Sequence, residues 1–366
     1  MGLEEHIFLP TNEYVKTLGR TFMLDDCRVL SLSGSGVEFK YTGTKLTVTF
    51  YGDSTTTTKE NEPQPWRDQA RVAVIVDGIM QLDTVIKKPV EVFDVCGLDE
   101  STVPSEHVVR IIKLSEPRMS TAGLGVIKIL SDGPAVSTSL KDKYIEFIGD
   151  SITCGYGIDV PDELHTFSTG TENVLKAFSY LTAKELDADH SMVSYSGHGL
   201  ISGYTPDPQV PKLEELIQPY YDIFAYSYNT FRGMQMESRK WDFESERKPD
   251  IIVINLGTND DSYIQDDEAK RKAFGKAYVS FLEKVHSLNP TSKIVVAFGL
   301  MGDRLFETQK EAADIFKKES GYDEVYAFRL TPQNFEKYGY GADWHPSAAS
   351  HKVAAGELAG FIKELF

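Results

Sequence analysis

The apolar residues of this chain change period near residue 140, and that change constrains the fold more than any other feature. From about residue 20 to 135 the period is two. In KLTVTFYG, Leu46, Val48 and Phe50 alternate with Thr47, Thr49 and Tyr51, as in a strand with one buried face. RVAVIVDGIMQLDTVI sets Asp77-Gly78 between two apolar runs, and because both residues tolerate positive φ the pair predicts a tight hairpin. VEFKYTG (37–43), VEVFDVCG (90–97), HVVRIIKL (107–114) and GVIKIL (125–130) are further strand candidates. So many short strands with no helix between them predict a two-sheet sandwich of the jelly-roll kind. Residues 53–69, DSTTTTKENEPQPWRDQ, break the alternation and read as an exposed loop.

Beyond residue 140 the apolar runs become continuous and alternate with helical spacing. YIEFIG (144–149), HSMVSYS (190–196), DIIVINLG (250–257), KIVVAFGL (293–300) and EVYAFRL (324–330) read as strands of a parallel sheet, buried on both faces. Helical patterns cover 173–186, about 267–286, 308–319 and 347–365. The expectation is an all-β jelly-roll sandwich domain over 1–138, then an α/β domain over 139–366 with a flavodoxin-like three-layer α/β/α architecture. Residues 201–248 fit neither scheme; this aromatic-rich stretch reads either as an excursion over the strand ends or as irregular packing.

At 366 residues the chain is long enough for two cores, and a formal charge of −17 without a basic cluster argues against nucleic acid and anionic lipid as partners. Cys27, Cys96 and Cys154 show neither a metal-ligand spacing nor an even count for a disulfide framework. MGLEEHIFLP has no basic, apolar leader pattern, and no later stretch approaches the roughly 18 apolar residues of a membrane span. The expected location is cytoplasmic, or outside the cell if a leader has been trimmed. Homo-oligomer contacts stay open.

The strand ends carry the chemistry. The first α/β strand runs into FIGDSITCGYG, where Ser151 follows a tight turn and opens a helix at the sheet edge used for sites in open α/β folds. Ser151 is therefore a candidate nucleophile, against the plainer reading of a helix cap. The next strands end in YSGHG and NLGTND. Gly197 and Gly257 permit close backbone approach, and Asn259 adds a neutral donor. Acyl transfer develops an oxyanion that needs such donors; Ser151 N–H, Gly197 N–H and the Asn259 amide are the candidates.

Gly149-Asp150-Ser151, Gly197, Gly257-Thr258-Asn259-Asp260 and Asp343-Trp344-His345-Pro346 resemble, in order, the four blocks of the SGNH hydrolases, also called GDSL-type esterases. The likeness covers about 143–366. The strand-rich stretch that includes GRTFMLDDCRVLSLSGSGVEFKYTGTKLTVTF is similar to the β-sandwich that precedes this domain in carbohydrate esterase family 2. That resemblance implies removal of acetyl groups from polysaccharides such as xylan and glucomannan, with O6 of a hexose favoured, and no cofactor or metal.

With Ser151 as nucleophile, His345 becomes the base that takes its proton and returns one to the departing sugar oxygen. His198 is its competitor, and His351 reads as a helix-surface residue. Asp343 is the candidate orienting carboxylate, although most SGNH enzymes place that aspartate three residues before the histidine, where this chain has Ala342. A backbone carbonyl could hold the ring instead, leaving a Ser-His dyad. Trp344 is expected to stack on a sugar ring, Tyr156 and Cys154 to shape a small acyl pocket, and Asp150 and Asp260 to bond loop amides. Two other readings stand beside an acetylated-carbohydrate esterase: a lipid or thioester hydrolase on the same scaffold, and a carbohydrate-binding protein without catalysis.

Overall fold

The computed structural model describes residues 2–57, 68–95 and 104–366, so Cys96 and much of the expected 53–69 loop lie outside the described residues. The chain divides into two compact units. The first comprises Met1–Leu140, Ser168–Glu172 and Phe224–Arg239; the second comprises Lys141–Phe167, Asn173–Ile223 and Lys240–Phe366.

The first unit is built on strands β1 (Glu4–Phe8), β2 (Lys16–Leu18), β3 (Thr21–Leu24), β4 (Cys27–Leu30), β5 (Gly36–Tyr51), β6 (Arg71–Val76), β7 (Ile79–Val85), β8 (Val90–Asp94), β9 (Ser105–Lys113), β10 (Ala122–Ser131) and β11 (Val136–Ser137). Their pairing is antiparallel, along the path β3-β4-β10-β5-β9-β6-β7. The two candidates at 37–43 and 46–51 are one strand, β5, of 16 residues. Its first half pairs with β9 and its second with β10 and β8. Gly43 sits at the changeover, where the register with β10 shifts and a side-chain Cβ would stand 2.2 Å from Leu130 O. Alternation holds along the strand: Leu46, Val48 and Phe50 are buried with Phe39, Val74 and Ile111, while Thr47, Thr49 and Tyr51 are only half-buried. The hairpin between β6 and β7 turns on Asp77 (φ 52°) and Gly78 (φ 80°), the left-handed pair that matches strand twist.

The sequence places all of 139–366 in one domain, but two short stretches of it fold with the first unit. Arg71 Nη1 donates to the carbonyls of Gly170 and Glu172, and Phe224 meets Phe22 edge-to-face at 4.7 Å. Both stretches lack hydrophobic periodicity, so only tertiary contacts assign them to the first unit.

The second unit contains, in order, β12 (Lys143–Gly149), α1 (Ser151–Cys154), α2 (Phe178–Glu185), β13 (Ala188–Ser194), α3 (Gln218–Tyr221), β14 (Ile251–Asn255), α4 (Thr258–Ile264), α5 (Glu268–Leu288), β15 (Lys293–Phe298), α6 (Phe306–Ser320), β16 (Val325–Arg329), α7 (Phe335–Tyr338) and α8 (Ala348–Lys363). The sheet is parallel in the order β13-β12-β14-β15-β16. α2 packs on β12 and β13 and against α8, while α6 packs on β15 and β16 and against α5, and every residue of β13 and β14 is buried, so both faces of the sheet are covered. This burial is why Ile251–Ile254 and Ile294–Val296 need no polar alternation. Strand order reverses between β12 and β14, the point at which open α/β sheets place their sites, outside the carboxyl ends of the strands. Among the described residues no helix is long and apolar enough to cross a membrane.

Candidate active site

Asp150 caps α1: its carboxylate accepts Ile152 N–H at 3.0 Å, and Gly155 ends the helix one turn later in a left-handed conformation (φ 79°). This short helix fixes Ser151 at the carboxyl end of β12, with an amide at the first helical position that no helical carbonyl can reach. The Ser151 hydroxyl lies 2.9 Å from His345 Nε2. On the far side of the ring, Nδ1 lies 3.0 Å from the backbone carbonyl of Asp343. A carbonyl only accepts, so Nδ1 carries the proton and the lone pair of Nε2 faces the serine, which donates to it. That is the tautomer a general base requires.

The carboxylate of Asp343 does not orient the imidazole, contrary to its expected role. Asp343 and Trp344 both adopt left-handed backbone (φ 49° and 62°), which turns the Asp343 carbonyl to the ring, while Oδ2 accepts the Tyr156 hydroxyl at 2.7 Å. Two consecutive non-glycine residues in this region are strained, and such strain concentrates where geometry serves a function. Tyr156, expected to shape the acyl pocket, instead stacks on His345 (4.2 Å, 27°) and on Phe167 (4.4 Å, 19°). Ala342, at the position where an aspartate is usual, is fully buried and donates its N–H to Gly157 O at 3.0 Å.

Asn259, in the first turn of α4, connects the other strand ends. Its Nδ2 donates to His198 O at 2.8 Å and makes a longer contact of 3.3 Å to Asp150 Oδ2. One amide thus bonds the residue after Gly197 and the residue before Ser151, tying the loop after β13 and the cap of α1 to the start of α4. The weak Asp150 contact leaves the second amide hydrogen the easier one to redirect. Among the described residues Gly197 N–H (φ 79°) has no hydrogen-bond partner. The loop after it is pinned by Asp260, whose carboxylate accepts the N–H groups of Leu200 (2.9 Å), Ile201 (2.7 Å) and Ser202 (3.2 Å).

Burial governs the titrating groups. It pushes His345 down to about 4, with the Asp343 carbonyl and carboxylate opposing it, so the ring is neutral near pH 7. Asp150 is pushed up to about 7 by burial and by the charge of Asp260, which burial raises to about 6. His198 is held apart from the serine: its Nδ1 lies 3.0 Å from Ser196 O, and its ring packs against Tyr195 and Tyr220. His351 is not a surface residue but is buried, with Nδ1 accepting Phe178 N–H at 3.1 Å. Cys154 is buried and bonds Ser194 Oγ, against the end of β13. Trp344 is 53% exposed and meets Tyr340 edge-on at 5.2 Å. Among the described residues no cluster of three or more His, Cys, Asp or Glu is arranged to hold a metal ion.

The GDSL-like lipase/acylhydrolase family model matches residues 147–353. The chain is 30% identical over 341 residues to the cellulase/esterase CelE of Acetivibrio thermocellus, covering 90% of this chain but spanning only 38% of that relative's length. It is also 30% identical to an acetylxylan esterase / glucomannan deacetylase of Cellvibrio japonicus, over 81% of this chain and 79% of that one. Among solved structures, a family two carbohydrate esterase from Clostridium thermocellum in complex with cellohexaose aligns with a TM-score of 0.78 at 26% identity, over 96% of this chain and 98% of that chain.

Proposed function

For a chain that belongs to the GDSL-like lipase/acylhydrolase family and, within it, to the family two carbohydrate esterases, we propose a serine esterase that removes O-acetyl groups from plant-derived polysaccharides or oligosaccharides such as xylan and glucomannan. The observation that carries this reading is the 2.9 Å approach of Ser151 Oγ to His345 Nε2 at the carboxyl edge of a parallel sheet. Ser151 Oγ attacks the acetyl carbonyl as its proton passes to Nε2. The oxyanion is met by Ser151 N–H, Gly197 N–H and the Asn259 amide. Collapse expels the sugar oxygen, which takes the proton from the imidazolium, and leaves an acetyl-serine. Water, deprotonated by the same nitrogen, then releases acetate and restores the serine.

The neutral ring at pH 7 suits His345 as a general base, and the exposure of Trp344 beside it supports a stacked sugar ring. The family resemblance alone supports 6-O-acetyl hexose as a substrate and catalysis without a cofactor. The antiparallel unit, whose long β5 passes between two sets of partners, is read as a jelly-roll sandwich.

The test is acetate release from acetylated xylan and glucomannan oligosaccharides by the wild type and by folded Ser151→Ala. Release that survives the substitution removes the serine mechanism. An acyl-chain series of p-nitrophenyl esters checks the substrate class, because activity sustained beyond butyrate indicates a lipid hydrolase.

A further inference from the structure

Tyr156 reaches both halves of the histidine's support. Its hydroxyl donates to Asp343 Oδ2 at 2.7 Å, and its ring lies against the imidazole at 4.2 Å with Phe167 stacked at 4.4 Å. The backbone around it is fixed independently: Gly155 and Gly157 on either side take φ of 79° and 61°, and Gly157 O accepts Ala342 N–H at 3.0 Å. The tyrosine therefore approaches the histidine loop from a turn anchored to α1, the helix that Ser151 opens.

We propose that Tyr156 is a positioning residue that ties the Asp343 carboxylate away from His345, so that a peptide carbonyl rather than a carboxylate orients the catalytic ring. This rests on the esterase reading above and adds a role that neither the serine nor the histidine reveals. A carboxylate on Nδ1 stabilises the imidazolium strongly, whereas a neutral carbonyl fixes the tautomer with a smaller preference for the charged form. Burial lowers the ring's basicity, and holding the carboxylate aside limits how far the Asp343 charge offsets it, so the base stays unprotonated in acidic medium. The titratable groups that bear on the ring are Asp343 on its own loop, Tyr156 beyond α1, and His351 on α8, whose Nδ1 is already occupied by Phe178 N–H.

Tyr156→Phe removes the hydroxyl and keeps the stack, so it releases the carboxylate with little change in packing. The imidazole is read by NMR titration of histidine-labelled protein, with His345→Gln assigning the resonance, alongside the acidic limb of kcat/KM. Both should move up by about one unit in Tyr156→Phe, a loss of up to tenfold on the limb. The shift should vanish when Tyr156→Phe is made on an Asp343→Asn background. An unchanged titration in Tyr156→Phe, or an equal shift with and without the carboxylate, overturns the proposal. The NMR titration reads the ring whether or not acetate is released, so its failure is distinct from failure of the esterase reading.

Discussion

Ala342 N–H donates to Gly157 O at 3.0 Å, and this one bond ties the loop carrying His345 to the turn that follows Ser151. Nucleophile and base come from opposite ends of the second unit's sequence, so their 2.9 Å separation depends on how these two loops meet. A Cβ on Gly157 would stand 2.6 Å from Ala342 Cβ, on a residue with φ of 61°. Gly157→Ala is therefore expected to cost about 1–3 kcal/mol of stability and to push the histidine loop outward. Denaturant unfolding reads the first effect. The second should appear as a fall in kcat of about tenfold or more, because small displacements at a reacting centre are costly. Unaltered kcat would mean the two loops are not coupled in this way.

The contact from Asp343 to the ring is made by its backbone. Asp343→Asn keeps that carbonyl and still offers Tyr156 an acceptor, so its kcat/KM is expected within about threefold of wild type. Ser151→Ala and His345→Ala should each lose at least about 10⁴-fold, as when a nucleophile or base is removed from a serine hydrolase. A loss in Asp343→Asn comparable to theirs would show that the carboxylate acts in catalysis after all.

The contrast marks where the sequence was legible. Ser151 and Asn259 stood out because each follows an unmistakable apolar strand, and Leu46, Val48 and Phe50 predicted their own burial through period two. Asp343 was identified as a neighbour of the histidine, but its role depended on a left-handed backbone at two residues that are not glycine, for which residue type gives no signal. Tyr156 carried no periodic pattern, and its partners are far away in sequence. Residues 224–239 lacked both periods, so their folding with the first unit could come only from tertiary contacts.

The acid limb should lie unusually low. Burial holds His345 near 4, against an ordinary value of about 6.5, so kcat/KM for an acetyl ester is expected to stay flat from about pH 7 down to about 5 and to fall only below that. Stability follows the same direction. The unfolded chain protonates this ring first on acidification, so the histidine's contribution, complete above its ordinary value, is lost as pH falls toward about 4. A pH–rate profile with its limb near 6.5 would place a carboxylate or water on Nδ1 in the working enzyme.

Asp150 has the opposite sign. Its folded value is raised from 3.8 to about 7, first by burial and then by Asp260, so the folded state holds the proton more tightly than the unfolded chain does. That contribution is fully present below 3.8 and is lost as pH rises through about 7. Asp150→Asn cannot titrate: its oxygen can still accept Ile152 N–H, but its NH₂ then faces the Asn259 amide that now contacts Asp150 Oδ2. Relative to wild type, the variant should therefore lose more stability in urea at about pH 4.5 than at about pH 8. Two donors facing each other should also displace the Asn259 side chain, lowering kcat by about tenfold with KM nearly unchanged, the pattern of a contact made only in the transition state. Equal losses at both pH values would mean that Asp150 titrates like an ordinary carboxylate, and a rise in KM alone would move Asn259 from the oxyanion to ground-state binding.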